Sequence, residues 1–377
     1  PEPNFHQTKK SMNRQHARRI LICLRYGIGD LVMELPALQA LRAVVPDAHI
    51  SALGAQPAID LLAGDSSVDE LIAVQQFGLT HWGDGGTDRI RESIRRWLSD
   101  RQFEVVIDPS HAVMAVGEVI WTSYRGVILD SGSNVPEEAL AQGQRGIAAI
   151  QTAVRAGWGI DIDHEASPSL SLAGFEIEGA NRFLREQGFF EDNLLGFSPV
   201  ASSQLKRWPV ERLAAVVDQL LAPEKNLKAL LFSGPQLEVA AELLCRLKAR
   251  HRVLVVKDLH LRQIAALLAR CRIFICNDTG LLHLAAAVNT PALAVFGPTS
   301  PAIYLPPGAA AAVGVSSNCP HRKTASFGPP ACLVVNRCLL SPRSCIEEVE
   351  AEQLFTALDR LQSSTLLFPR RAPMSYY

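Results

Sequence analysis

The chain has 377 residues, 37 Lys or Arg against 38 Asp or Glu, a net charge of −1, 48% apolar residues and 6% aromatics. That length fits two domains of ordinary size, each able to bury a core. The balanced charge and sparse aromatics argue against a nucleic-acid binder, and no apolar run approaches the roughly 20 residues of a membrane span.

Residues 1–18 are polar and basic, without the apolar segment of a secretory signal. They read as a flexible, solubilising tail of a cytoplasmic protein. Peripheral contact with the inner membrane surface is the alternative. From Arg19 strands and helices then alternate. Arg19–Arg25 is an expected strand, Gly27-Ile28-Gly29-Asp30 a turn, and Leu31–Val45 a helix that Pro36 should kink or delay. Strands follow at His49–Leu53, Glu70–Val74 and Phe103–Asp108, and helices at Arg89–Leu98 and Val113–Tyr124. Such alternation predicts a mostly parallel sheet. A charged helix, Glu176–Gln187, marks the junction, placed at 176–192. The pattern then restarts. Strands are expected at Leu194–Ser198, Leu227–Phe232, Arg252–Val256, Arg272–Cys276 and Ala292–Phe296. Helices alternate with them at Val210–Leu221, Leu237–Ala249 and Leu261–Ala269, and a further helix follows Gly280. The domains expected are therefore 19–175 and 193–349, followed by a helix over 350–363 and a tail over 364–377.

The turns after these strands hold the candidate chemistry, because ligands of open α/β sheets bind at the carboxyl ends of the strands. Asp278-Thr279-Gly280 ends one strand and opens the helix Leu281-Leu282-His283-Leu284. A helix N-terminus there suits phosphate, and Thr279 and Thr299 add hydroxyls. His283, taken alone, reads as a packed core histidine more readily than as a catalytic residue. Asp30 is either a helix cap or a general base. Lys206, after Ser202 and before Trp208-Pro209, is either a solvated lysine or a partner for a leaving phosphate. Gly234 ends a strand, and Glu238 sits in the next helix's first turn, where the dipole alone favours it.

Together these segments resemble glycosyltransferase family 9, the ADP-heptose:lipopolysaccharide heptosyltransferases. The matching pieces are Gly29-Asp30 with Pro36 and Leu38, Lys206 with Trp208-Pro209, Gly234 with Glu238, Asp278 to Leu284, and Phe296 to Pro301. The resemblance implies a GT-B fold, two Rossmann-like doubly wound domains facing a central cleft, with acceptor on the N-terminal side and donor on the C-terminal side. It implies metal-independent, inverting transfer from an ADP-sugar, with Asp30 as base and Lys206 stabilising the leaving diphosphate. The donor would be held by Ser202, Gly234, Glu238, Asp278, Thr279, Gly280, Leu281, His283 and Thr299. The expected acceptor is a lipopolysaccharide-core type glycan. Arg125 is the only Arg or Lys between Arg101 and Arg145, which also suits a less charged glycan or a protein Ser/Thr. Transfer from another nucleotide sugar, or nucleotide binding without transfer, are the other readings.

Eight cysteines fall in two groups. Cys23, Cys245, Cys271 and Cys276 read as buried thiols of a reducing compartment. Cys319, Cys332, Cys338 and Cys345 crowd a Pro-rich loop over 319–345. They suit either a structural zinc or iron ion, or free thiols or a disulfide pair.

Overall fold

The computed structural model describes residues 17–24, 27–79, 86–108, 119–120, 122–124, 126–129, 145–161, 167–190, 193–222, 227–306, 310–313, 319–321, 330–340 and 342–365. The chain divides into two compact units, Pro1–Ser171 and Leu172–Tyr377.

The first unit is built on β1 (Arg19–Cys23), β2 (His49–Gly54), β3 (Glu70–Ala73), β4 (Val105–Ile107) and β5 (Val127–Leu129). They form one sheet in the order β3-β2-β1-β4-β5, with every pairing parallel. Helix α1 (Ile28–Val44) lies between β1 and β2 in the chain, α2 (Asp88–Arg101) between β3 and β4, and α3 (Arg145–Trp158) follows β5. β1 is an unbroken apolar run because, as the middle strand of a parallel sheet, it is covered on both faces. Helix α1 starts earlier than expected, at Ile28, and carries Pro36 in its interior, buried. The prolyl ring removes one backbone donor there, while Leu31, Leu35 and Leu38 stay fully buried and hold the helix on the sheet. Ala17 is buried and the Arg18 N–H donates to Glu104 Oε2, so these two residues belong with β1 rather than with a tail. Most of the expected helix Val113–Tyr124 lies outside the described residues.

The second unit has strands β6 (Leu194–Ser198), β7 (Lys228–Phe232), β8 (Val253–Val256), β9 (Cys271–Asn277), β10 (Ala292–Val295) and β11 (Ala310–Val313), ordered β11-β10-β9-β6-β7-β8 and again all parallel. Its helices are α4 (Gly174–Glu186), α5 (Val210–Leu220), α6 (Leu237–Arg246), α7 (Leu261–Leu268), α8 (Gly280–Ala287), α9 (Pro301–Tyr304), α10 (Ala331–Val334) and α11 (Ala351–Thr365). Helix α8 is apolar on every side because Leu281 through Ala287 are all buried. It ends where Asn289 turns into the left-handed region (φ 57°), as the residue after a helix often does. The charged helix α4 docks on α7 through Glu176, whose two carboxylate oxygens accept from Arg262 Nε (2.5 Å) and Nη2 (2.8 Å). Leu354, Ala357 and Leu358 of the last helix, α11, join the core formed by Phe197, Trp208, Val217 and Leu293. Two units with parallel, doubly wound sheets are the GT-B class of fold.

Cys23, Cys271 and Cys276 are buried as expected, and burial pushes the thiols of Cys23 and Cys276 up, with Asp108 and Asp278 respectively adding to the effect. Cys245 departs from the expectation. It is exposed, near the end of α6 and off that helix's buried face of Val239, Ala240 and Leu243.

Candidate active site

The strand order locates the site. In the second unit the winding reverses between β6 and β9, so the loops leaving these two strands open side by side, the usual ligand position in such sheets. The loop after β6 carries Ser202 to Trp208, and the turn after β9 carries Asp278 and Thr279. The turn after β10 brings Thr299 alongside.

Three of the expected residues meet at one atom. Asp278 Oδ2 lies 2.7 Å from Lys206 Nζ and accepts a 2.6 Å hydrogen bond from Thr299 Oγ1. The Lys206 and Asp278 side chains are 15% and 6% exposed, so this is a nearly dry ion pair. Here Asp278 itself holds both donors that the sequence assigns to a diphosphate.

Thr279 is the N-cap of α8. Its hydroxyl accepts from the Leu281 N–H (3.2 Å), and its carbonyl accepts from the Leu282 N–H (3.1 Å). The start of the helix is therefore partly capped from within, with the Thr279 hydroxyl proton left to donate. Gly280, Leu281 and His283 follow within the helix, Leu281 and His283 both buried. Ser202, on the Lys206 loop, Gly234, in the turn after β7, and Glu238, in the first turn of α6, are all exposed and outside the Lys206–Asp278–Thr299 group. Gly234 has φ +53°, a conformation that favours glycine.

Sequence reasoning missed Asn277, the last residue of β9. It is buried, its Oδ1 accepts from the Trp208 N–H (3.0 Å), and its Nδ2 donates to the carbonyls of Pro199 (2.8 Å) and Val200 (3.4 Å). An asparagine closing an apolar strand run was the available signal, since a buried amide needs several partners.

Behind the Lys206 loop lies the Cys-rich segment. Trp208 Nε1 donates to the Val349 carbonyl (2.8 Å), and Arg212 Nη1 to the carbonyls of Glu347 (2.5 Å) and Val349 (2.6 Å). A Cβ built on Gly297 would lie 2.8 Å from Ile346 Cβ and 3.1 Å from the Leu205 carbonyl oxygen, so glycine alone permits this approach. Cys319, Cys332, Cys338 and Cys345 all line one pocket with a cavity of about 30 Å³. Its walls include His321, not anticipated from the sequence, and Leu205 and Pro298, the residues preceding Lys206 and Thr299. Burial pushes the Cys332 thiol up, and the nearby Cys319 and Cys338 add to that shift. Among the described residues, no three Cys, His, Asp or Glu side chains are grouped as a ready metal site.

In the first unit the winding reverses at β1, between β2 and β4, and Asp30 follows β1. Asp30 is not the helix cap. Gly27 holds that position, and Asp30 lies in the first turn of α1, exposed. Its carboxylate folds back over Gly27, where a Cβ would sit 2.4 Å from Oδ2.

Comparison with known proteins agrees with this architecture. The sequence model of glycosyltransferase family 9 (heptosyltransferase) matches residues 140–329, about half of the chain. The lipooligosaccharide heptosyltransferase 2 of Haemophilus ducreyi is 36% identical over 121 residues, which is 30% of this chain and 34% of that protein. Thus the chain spans about a third of the length of this relative and of the Escherichia coli lipopolysaccharide heptosyltransferase 2. The Salmonella typhimurium lipopolysaccharide heptosyltransferase 2 is 23% identical over 75% of this chain and 84% of its own length. Among solved structures, a family 9 glycosyltransferase from Veillonella parvula superimposes with a TM-score of 0.73 at 19% identity, covering 94% of this chain and 99% of that one. The Escherichia coli heptosyltransferase WaaC with ADP gives 0.61 at 18% identity, covering 93% and 100%.

Proposed function

We propose, for a chain that belongs to glycosyltransferase family 9, that it transfers a heptose from ADP-heptose to a hydroxyl of a lipopolysaccharide-core type glycan, with inversion and without a catalytic metal. The observation that carries this reading is the Lys206–Asp278–Thr299 group at the switch point of the second unit. Lys206 and Thr299 would pass from the Asp278 carboxylate to the diphosphate as the sugar–phosphate bond breaks. Fixed donors in a nearly dry site stabilise such developing charge without reorganisation. The Thr279 hydroxyl and the start of α8 would add to them. Asp30 would take the proton of the attacking hydroxyl. The Escherichia coli relative solved with ADP supports adenine as the base. A protein Ser/Thr remains the alternative acceptor, because basic residues are sparse over 102–144. No helix among the described residues is long and apolar enough to cross a membrane. Peripheral contact with the inner membrane from the cytoplasmic side is part of this proposal.

Calorimetric titration with ADP, UDP, GDP and NAD, without added metal, tests the donor site. Selective ADP binding is expected. Preference for UDP or GDP would discard ADP-heptose as donor, and failure to bind any nucleotide would discard transferase activity.

The thiol pocket is proposed to take one structural zinc or iron ion, supported by four thiols and an imidazole lining a single cavity. Binding would draw the ligands together as the thiols lose their protons. Elemental analysis of the purified protein should give close to one ion per chain, lost when Cys338 and Cys345 become Ser. Metal-free protein with freely titrating thiols would refute the proposal.

A further inference from the structure

We infer that Asn277 is a positioning residue for the phosphate-binding lysine: it holds the Lys206 loop in place so that Lys206 Nζ is presented at the donor site. This inference rests on the reading of Lys206 given above.

The amide has one acceptor and two donors to place, and the site uses all three on one loop. Pro199 is the first residue after β6, and its carbonyl accepts from Asn277 Nδ2 at 2.8 Å, with the Val200 carbonyl at 3.4 Å. At the other end Trp208, two residues before α5, gives its backbone N–H to Asn277 Oδ1 at 3.0 Å. One side chain therefore pins both ends of the loop. The next residue, Asp278, the first after the strand, grips the loop between those points, through Lys206. With Asn277 2% exposed, water cannot replace the amide at these partners. Between its pinned ends the loop is held by a 3-10 turn over Gln204–Lys206 and by Gln236 Nε2, which donates to the Ala201 carbonyl (3.1 Å), while Pro199 and Pro209 bring no backbone N–H of their own.

A buried asparagine could instead serve stability alone. The two roles separate in a double-mutant cycle. ADP is titrated calorimetrically into full-length wild-type protein, Asn277→Ala, Lys206→Ala and the double variant, each checked by thermal unfolding to be folded at the assay temperature. If Asn277 acts through Lys206, Asn277→Ala weakens ADP binding by about tenfold in the wild type, within the coupling seen inside one hydrogen-bond network. In the Lys206→Ala background the same change has less than about a twofold effect. Equal weakening in both backgrounds, or none in the wild type, would overturn the inference. Asn277→Asp goes through the same cycle. It keeps an acceptor for Trp208 but turns oxygen lone pairs toward two carbonyls, and should reproduce the alanine result. Should neither variant fold, Asn277 is a stability residue and the positioning role is wrong. If Lys206→Ala alone leaves ADP binding intact, it is the donor-site reading that fails.

Discussion

Replacing Lys206 with alanine is expected to lower sugar transfer by about 10²–10³-fold, the usual cost of losing one preorganised donor to a developing negative charge, and to weaken ADP binding as well. Lys206 stands 2.7 Å from Asp278 in a pair that is nearly closed to water. Its removal does two things. On the proposed donor site the departing diphosphate loses a cation, and Asp278 keeps a buried negative charge whose remaining hydrogen-bond donor among the described residues is Thr299 Oγ1. On that reading the stranded carboxylate would also repel the phosphate, so the variant should be worse than one merely lacking a contact. Loss of one partner from a buried pair also costs about 3–5 kcal/mol of stability, nearer the lower figure here because Lys206 is 15% exposed. The double variant Lys206→Ala with Asp278→Asn removes the stranded charge. It should recover stability without recovering rate. Steady-state kinetics, ADP calorimetry and thermal unfolding on the three proteins check this. Normal turnover by Lys206→Ala would remove the lysine from the mechanism.

Asp30→Asn is expected to reduce transfer by about 10²–10⁴-fold, the contribution of a general base, while ADP affinity stays within about twofold of wild type. The separation follows from placement: Asp30 belongs to the first unit and the Lys206–Asp278–Thr299 group to the second. The carboxylate is exposed and sits in the first turn of α1, clear of any capping duty because Gly27 holds the cap. The amide is nearly the same size, so the helix start over Gly27 should survive the change. A loss of ADP binding as large as the loss of rate would point instead to a structural or phosphate-loop role for this turn.

The two sheets were legible because parallel strands announce themselves as short apolar runs. Leu194–Ser198 matches its expected bounds, and most others lie within one or two residues of theirs. Strands β5 and β11 and helix α3 were not anticipated. β5 is only three residues long, Val127–Leu129, too short for a period to register. The start of α1 was misjudged because Gly27 and Gly29 read as a turn, whereas Gly27 is the cap and Gly29 the second residue of the helix. Within the site, residue types and strand ends were sufficient to single out Lys206, Asp278 and Thr299. The sequence could not show that Asp278 would be the partner of the other two. That depends on β6, β9 and β10 lying in consecutive order in the sheet, with Lys206 and Asp278 separated by more than seventy positions in the chain. An asparagine closing an apolar strand marks Asn277 as a buried amide in need of partners, but which partners could not be read, since all of them lie on the β6 loop.

The bond from Trp208 Nε1 to the Val349 carbonyl spans 141 positions, and this has a bearing on synthesis. At ribosomal speeds of about 5–20 residues per second, Trp208 is incorporated roughly 7–30 s before its acceptor exists. Through that interval the indole N–H lacks its partner, Arg212 lacks the carbonyls of Glu347 and Val349, and the loop bearing Lys206 has no back wall. The nascent second unit can pair β6 with β7 early, yet the backing of the Lys206 loop stays unfinished until Val349 has been added. A chain ended between β11 and Val349 would keep every strand of the second sheet yet leave Trp208 Nε1 and Arg212 Nη1 without these carbonyl acceptors.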